Sequence, residues 1–162
     1  MKMRLVDTEK IVIGCAPAAL TSTAGDGDYV SLKNFDRLTI VLSVQNATTV
    51  TGGTITLKQA SDVSGTGEKE LGFSKMWANT DAASGDTLTE TAVSSNTFVT
   101  NTTNSRQLLY VIEIWAEDLD VNNGFDCVRI DSTGMANAVG SVVYILGQSS
   151  YAPANAISAI AN

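Results

Sequence analysis

The chain has no histidine, two cysteines, two prolines and only ten basic residues among 162, and each shortage removes a class of function. Without histidine the commonest general base, the commonest metal ligand and the usual switch near neutral pH are all missing. Ten Lys and Arg stand against 17 Asp and Glu, a formal charge of −7. The basic residues are scattered singly, as at Lys33, Arg37, Lys58 and Arg129, so no basic stripe exists to neutralise phosphates, and nucleic acid is not an expected partner. No apolar run approaches the roughly 18 residues that suggest a membrane span, and a membrane is not an expected partner either. Residues 12–15, Val-Ile-Gly-Cys, loosely resemble a lipoprotein cleavage site. Asp7 and Glu9 precede them, however, and the apolar core of three residues falls short of the roughly 7–15 that a signal segment uses. The expectation is a soluble, unprocessed chain.

The two cysteines, Cys15 and Cys127, lie far apart inside apolar runs. A free cysteine behaves as a small hydrophobe, so two buried thiols are the expected reading, with a disulfide as the alternative that only geometry decides. The prolines, Pro17 and Pro153, sit near the two ends, and no Pro/Ser linker divides the sequence. At this length one domain is the economical reading, burying about 70% of the surface its unfolded chain exposes.

Hydrophobic residues make up 44% of the chain and charged residues 17%, so surface polarity must come largely from Ser, Thr, Asn and Gly. That balance suits rigid, all-β extracellular or particle-forming proteins. The densest apolar stretch is residues 107–131, QLLYVIEIWAEDLDVNNGFDCVRID. It reads as two strands, 108–115 and 126–130, joined by an acidic, Asn/Gly-rich connection with a minor helical turn at 116–119. The NNG turn is expected to reverse the chain between them.

Before that stretch, residues 11–15 form a first short strand stopped by Ala16-Pro17, and 20–28 a Gly-rich loop. Strands at 29–32 and 38–44 follow. Gly52-Gly53 reads as a hairpin turn returning 54–59 antiparallel to the strand before it, with Ile55 and Leu57 toward the core. Residues 60–68 form a loop, since Ser-Gly-Thr-Gly lacks the spacing and the helix of a phosphate loop. Residues 70–78 read as one strand; two modest strands, 87–93 and 97–100, lie in the Thr-rich region after it. The last strand is 141–146. The fold class is therefore all-β: a single-domain antiparallel β-sandwich or jelly-roll-like barrel of about nine or ten short strands. Residues 1–10 are expected to form an N-terminal arm, 11–147 the sandwich, and 148–162 a C-terminal tail or arm that orders against a partner.

No arrangement of side chains in the sequence assembles a nucleophile, a base and an orienting group, so no catalytic residue, no metal ligand and no cofactor is expected, and the chain is not expected to be an enzyme. The acidic loop, Glu117, Asp118, Asp120, Asn122 and Asp126, offers the oxygens a hard cation needs. As an EF-hand it fails, because the sixth position is Asn123 and the twelfth is Arg129, and a solvated turn is the expected reading. Glu113 shares its strand phase with Leu109, Val111 and Trp115, opposite Tyr110, Ile112 and Ile114, and should look outward. The aromatic residues Trp77, Trp115, Tyr110 and Tyr144 read as core and interface anchors. Partner-binding residues are expected in the two arms: Met1, Lys2 and Arg4 in the first, Tyr151, Ile157 and Ile160 in the second, with Tyr151 as an anchor.

Three stretches carry a resemblance: DYVSLKNFDRLTIVLSV (28–44), TITLKQASDVSGTGEKEL (54–71) and LDVNNGFDCVRID (119–131). Together they resemble small proteins encoded among the head genes of tailed bacteriophages, taken to be capsid decoration, or cement, proteins. The likeness runs from about residue 28 to residue 146 and leaves both arms uncovered. It implies a virion structural protein on the capsid outer surface that binds interfaces between subunits of the major capsid protein, as a homotrimer at local symmetry axes. A rigid acidic domain would stay soluble in many copies and avoid packaged DNA. Two other readings remain open: a carbohydrate- or receptor-binding β-module of a fibre or surface protein, and a minor head-tail connector component.

Overall fold

Eleven strands in two antiparallel sheets form the framework of the described residues. The computed structural model describes residues 4–20, 27–94, 96–149 and 157–161. A single turn of helix, α1 (Leu5–Thr8), leads into β1 (Glu9–Ala19), followed by β2 (Val30–Ser31), β3 (Phe35–Thr51), β4 (Thr54–Ala60), β5 (Lys69–Leu71), β6 (Lys75–Asn79), β7 (Thr89–Ala92), β8 (Thr97–Val99), β9 (Gln107–Trp115), β10 (Cys127–Thr133) and β11 (Ala136–Ser149). The larger sheet has the order β1-β11-β3-β9-β6-β7; the smaller has the order β2-β10-β4-β5, with β8 also paired to β4. The fold is the expected all-β sandwich.

Strict alternation builds the core. In β9 the side chains of Leu108, Tyr110, Ile112 and Ile114 are buried while Leu109, Val111, Glu113 and Trp115 look outward, the phase read from the sequence. β3 contributes Leu38, Ile40, Leu42 and Val44; β11 contributes Val142, Tyr144 and Leu146; β4 and β10 answer from the other sheet with Ile55, Leu57, Val128 and Ile130. Such side chains contribute roughly 1.5–3 kcal/mol each when fully buried, which makes this interleaved layer the main source of stability.

Two sequence expectations are overturned, both for one reason. Gly52-Gly53 does not close a hairpin: β3 lies in the larger sheet between β11 and β9, while β4 lies in the smaller one beside β10. The glycines turn a corner between sheets, where a methyl on Gly53 would overlap the Met135 side chain, the Gly53 N–H donates to the Thr100 hydroxyl and the Gly53 carbonyl accepts the Thr100 N–H. Residues 70–78 are likewise not one strand, because the chain leaves β5 in the smaller sheet and enters β6 in the larger. The two central strands, β9 and β10, also belong to opposite sheets. The acidic connection crosses the edge of the sandwich through two 3-10 turns, with Gly124 in the left-handed conformation at φ 80°. Alternation identifies a strand's buried face; it does not say which sheet that face belongs to.

Pro17 does not end β1, which runs on to Ala19 with register shifts around Cys15; an edge strand tolerates a missing donor. Cys15 and Cys127 are both buried, and neither forms a disulfide. The last described residues return to the domain, where Ala159 is buried and its carbonyl accepts the Ser31 backbone N–H at 2.7 Å.

Candidate functional site

The outer faces of the two sheets differ in kind. On the smaller sheet, side chains are knitted by charge. Arg129 donates from Nε to Glu68 Oε2 at 3.0 Å, and the Tyr29 hydroxyl donates to the same oxygen at 2.6 Å. The Arg129 guanidinium also sits 5.5 Å from the Tyr29 ring centroid and 3.5 Å from Asp131. Lys58 lies between Glu70 and Asp131 at 3.9 and 4.0 Å. The bond from Arg129, with that from Tyr29, holds the Glu68 carboxyl below its ordinary range. Burial, reinforced by the bond to Glu68, pushes the Tyr29 hydroxyl well above its own.

The acidic connection is engaged the same way. Lys69 binds Asp120, and its ammonium lies 4.2 Å from the Phe125 ring centroid. Asn123 donates to both Asp120 oxygens, and Asp118 accepts the Trp115 backbone N–H at 2.8 Å. Lys69, then Asn123, holds the Asp120 carboxyl below its ordinary range. These oxygens are committed to protein donors, the arrangement of a fastened turn.

On the larger sheet the outer face is apolar. The register places Ile13, Val143, Val41, Val111 and Trp77 in one continuous row across β1, β11, β3, β9 and β6. Alternation would assign such positions to polar residues. Instead Ile13 is 61% exposed and the others are half-buried only by their neighbours in the sheet. The next row toward the start of β3 holds Ile11, Ile145, Thr39 and Glu113, and the one beyond it Glu9, Gly147, Arg37 and Trp115. Within that last row Glu9 Oε1 reaches across β11 to Arg37 at 3.3 Å, passing over Gly147, where any side chain would collide with the carboxylate. At the far end Lys75 pairs with Glu90 at 3.1 Å.

A cleft of about 530 Å³ opens where β6 parts from β9. The two strands pair from Trp77 to Asn79 against Val111 to Leu109. Past Trp77 they separate, and Phe73, Lys75, Trp77, Asn96, Glu113 and Asp118 line the gap. The Glu113 carboxylate accepts from the Thr39 hydroxyl at 3.5 Å.

The partner-binding residues expected from the sequence are scattered. Met1, Lys2 and Tyr151 lie outside the described residues. Arg4 is exposed at the start of α1, its backbone N–H donating to Asp7 at 3.0 Å. Ile157 packs against the domain's own core, and Ile160 is 60% exposed. The structure does not bring Arg4, Ile157 and Ile160 together in any contact among the described residues. Sequence reasoning missed the row through Val41. Its signal was present in runs such as TIVLSV and SVVYIL, where Val41, Val143 and Ile145 stand as β-branched apolar residues between core positions.

The chain is a two-sheet antiparallel β-sandwich protein with charged clusters on the outer face of the smaller sheet and an apolar row across that of the larger. No protein-family model matches it, and no curated protein matches it. Among solved structures, the crystal structure of the SPBc2 prophage-derived protein YomS is similar at 13% sequence identity, covering 86% of this chain and 93% of that one with a TM-score of 0.44. The fold stated above rests on the strand pairing itself.

Proposed function

We propose that this chain is a non-enzymatic virion structural protein that decorates the outer surface of a phage capsid, binding where subunits of the major capsid protein meet. The observation that carries the reading is the contrast between the two outer faces: a protein working alone in solution has little use for an apolar row across five strands, whereas one built into a particle has. The acidic balance and the sequence resemblance in residues 28–146 support the same role. Cryo-electron microscopy of the particle tests it. Density for the sandwich on the outside of the shell in many copies is the expected result; a handful of copies at the neck would assign a connector role instead, and absence from the particle would sink both.

A second reading has one observation in its favour. The cleft between β6 and β9 sets Trp77 beside Glu113, Asp118 and Asn96, a combination of aromatic face and hydrogen-bonding groups suited to a sugar ring. A glycan array discriminates, since a decoration protein should select no sugar.

A further inference from the structure

We infer that the outer face of the larger sheet is a homotypic interface, covered by the same face of a second copy of this chain across a two-fold axis. The inference does not depend on attachment to a shell, because it concerns contact between isolated copies. Two surfaces of one kind can cover each other only if the face complements itself, and the register supplies that property.

The rows differ in height. Val143 and Val41 form a ridge at the centre, and the adjoining outward pair on the same strands, Ser141 and Ser43, forms a furrow. A two-fold axis running across the strands between ridge and furrow lays the ridge of each copy into the furrow of the other. The same operation brings Val111 over Leu109 of the second copy, since both are outward residues of β9 on either side of the axis. One row further out it sets Ile145 over Val139 and Thr39 over Gln45, matching apolar with apolar and polar with polar. It also sets Glu113 over Gln107, a carboxylate facing an amide donor. Sheet twist rotates the two faces by about 30°, so the correspondence is closest near the axis.

Size and charge agree with this occupant. Five strands about 4.8 Å apart and three rows about 6.7 Å apart make a band of roughly 500 Å² in plan. Trp115, Val139 and the exposed Leu5 and Val6 of α1 at its rim bring it toward the roughly 800 Å² per partner of a stable complex. Each chain carries −7, which opposes self-association through most of its surface. On this face Glu9 is paired with Arg37 and Lys75 with Glu90, leaving Glu113 as the remaining acid of those rows, so two copies approach here without strong repulsion. The sequence resemblance implied a trimer; the face geometry points to a two-fold contact.

Sedimentation equilibrium of the full chain over a wide concentration range tests the inference. The expected result is a monomer-dimer equilibrium that Val41→Glu shifts at least about 100-fold toward monomer, because the dimer would bury an unpaired carboxylate twice; circular dichroism verifies that the variant is folded. Gln107→Glu, which sets carboxylate over carboxylate, should weaken the dimer, and the added Glu113→Lys should restore it, which a loss of folding would not do. A monomer at every concentration, a trimer, or a dimer that Val41→Glu leaves intact would each overturn the proposal. So would a monomeric wild-type chain whose binding to shells is lost in Val41→Glu, since the face would then belong to the capsid protein.

Discussion

Tyr144, in the middle of β11, holds its hydroxyl oxygen 3.0 Å from the backbone N–H of Ile130 in the opposite sheet. β2 pairs β10 only at Cys127 and Val128, so the outward backbone of Ile130 has no strand beside it. Tyr144 takes its N–H and the Gly27 N–H reaches its carbonyl at 2.9 Å. The ring fits because Gly14, next along β1, carries no side chain to overlap it.

Removing that acceptor should be costly. Tyr144→Phe keeps the ring and orphans a buried N–H, an expected loss of about 1–3 kcal/mol. Gly14→Ala should cost about 1–3 kcal/mol by forcing the ring aside, and the double variant less than the sum, because both act on one ring. Urea denaturation of the three variants measures this; strict additivity would contradict the shared mechanism.

The same burial fixes the alkaline limit of the fold. Burial raises the Tyr144 hydroxyl far above its ordinary 10.0, and it raises Tyr110 as well; Tyr29 is raised by burial and by its bond to Glu68. Groups whose pKa is raised on folding contribute stability that is fully present below the unfolded value and lost as pH rises toward the folded one. Stability should therefore hold up to about pH 10 and fall above it. Tyrosinate absorbance and circular dichroism should change together, at least for these three of the four tyrosines; three tyrosines ionising near pH 10 in a folded protein would refute the assignment.

Gly147 is predicted to be intolerant of substitution for an electrostatic reason. Gly147→Ala would push the Glu9 carboxylate off the strand and away from Arg37, at an expected cost of about 1–3 kcal/mol. Combining it with Glu9→Ala should recover part of the loss, since the atoms nearest the added methyl are then gone. Thermal unfolding of the single and double variants decides this, and a double variant worse than Gly147→Ala alone would be the contrary result.

At the acid end, Glu68 makes a smaller contribution. Its carboxyl is lowered from 4.5 by Arg129 and Tyr29, so its stabilising effect is present above about pH 4.5 and fades as pH falls through the lower folded value. The group is largely exposed, and Glu68→Gln should cost less than about 1 kcal/mol near neutrality, less still in high salt. Melting curves of wild type and variant should converge in acid; a gap that widens there would contradict the sign.

The features legible in the sequence were those written in local periodicity. The two-fold alternation of 108–115 gave the buried faces of Tyr110, Ile112 and Ile114 and the outward aim of Glu113. What escaped was long-range. Gly52-Gly53 has the composition of a hairpin turn, and only the packing of Gly53 under Met135 makes it a corner between sheets. The apolar row of the larger sheet is invisible in any one segment, because Ile13, Val41, Trp77, Val111 and Val143 become neighbours only once five strands are in register. Strands buried on both faces and strands with one exposed apolar face also have the same local pattern, so the runs containing Val41 and Val143 looked like ordinary core.

The pairing of β1 with β11 also sets a schedule. During synthesis β1 (Glu9–Ala19) leaves the ribosome long before β11 (Ala136–Ser149), its strand partner among the described residues. At about 5–20 residues per second the interval is on the order of ten seconds. Throughout it the apolar strand holding Ile11, Val12 and Ile13 has no neighbour to shield it, and β3 lacks the neighbour that fills the gap between them. The larger sheet thus closes at a time dictated by translation, and until then each nascent chain exposes the strand most able to join another.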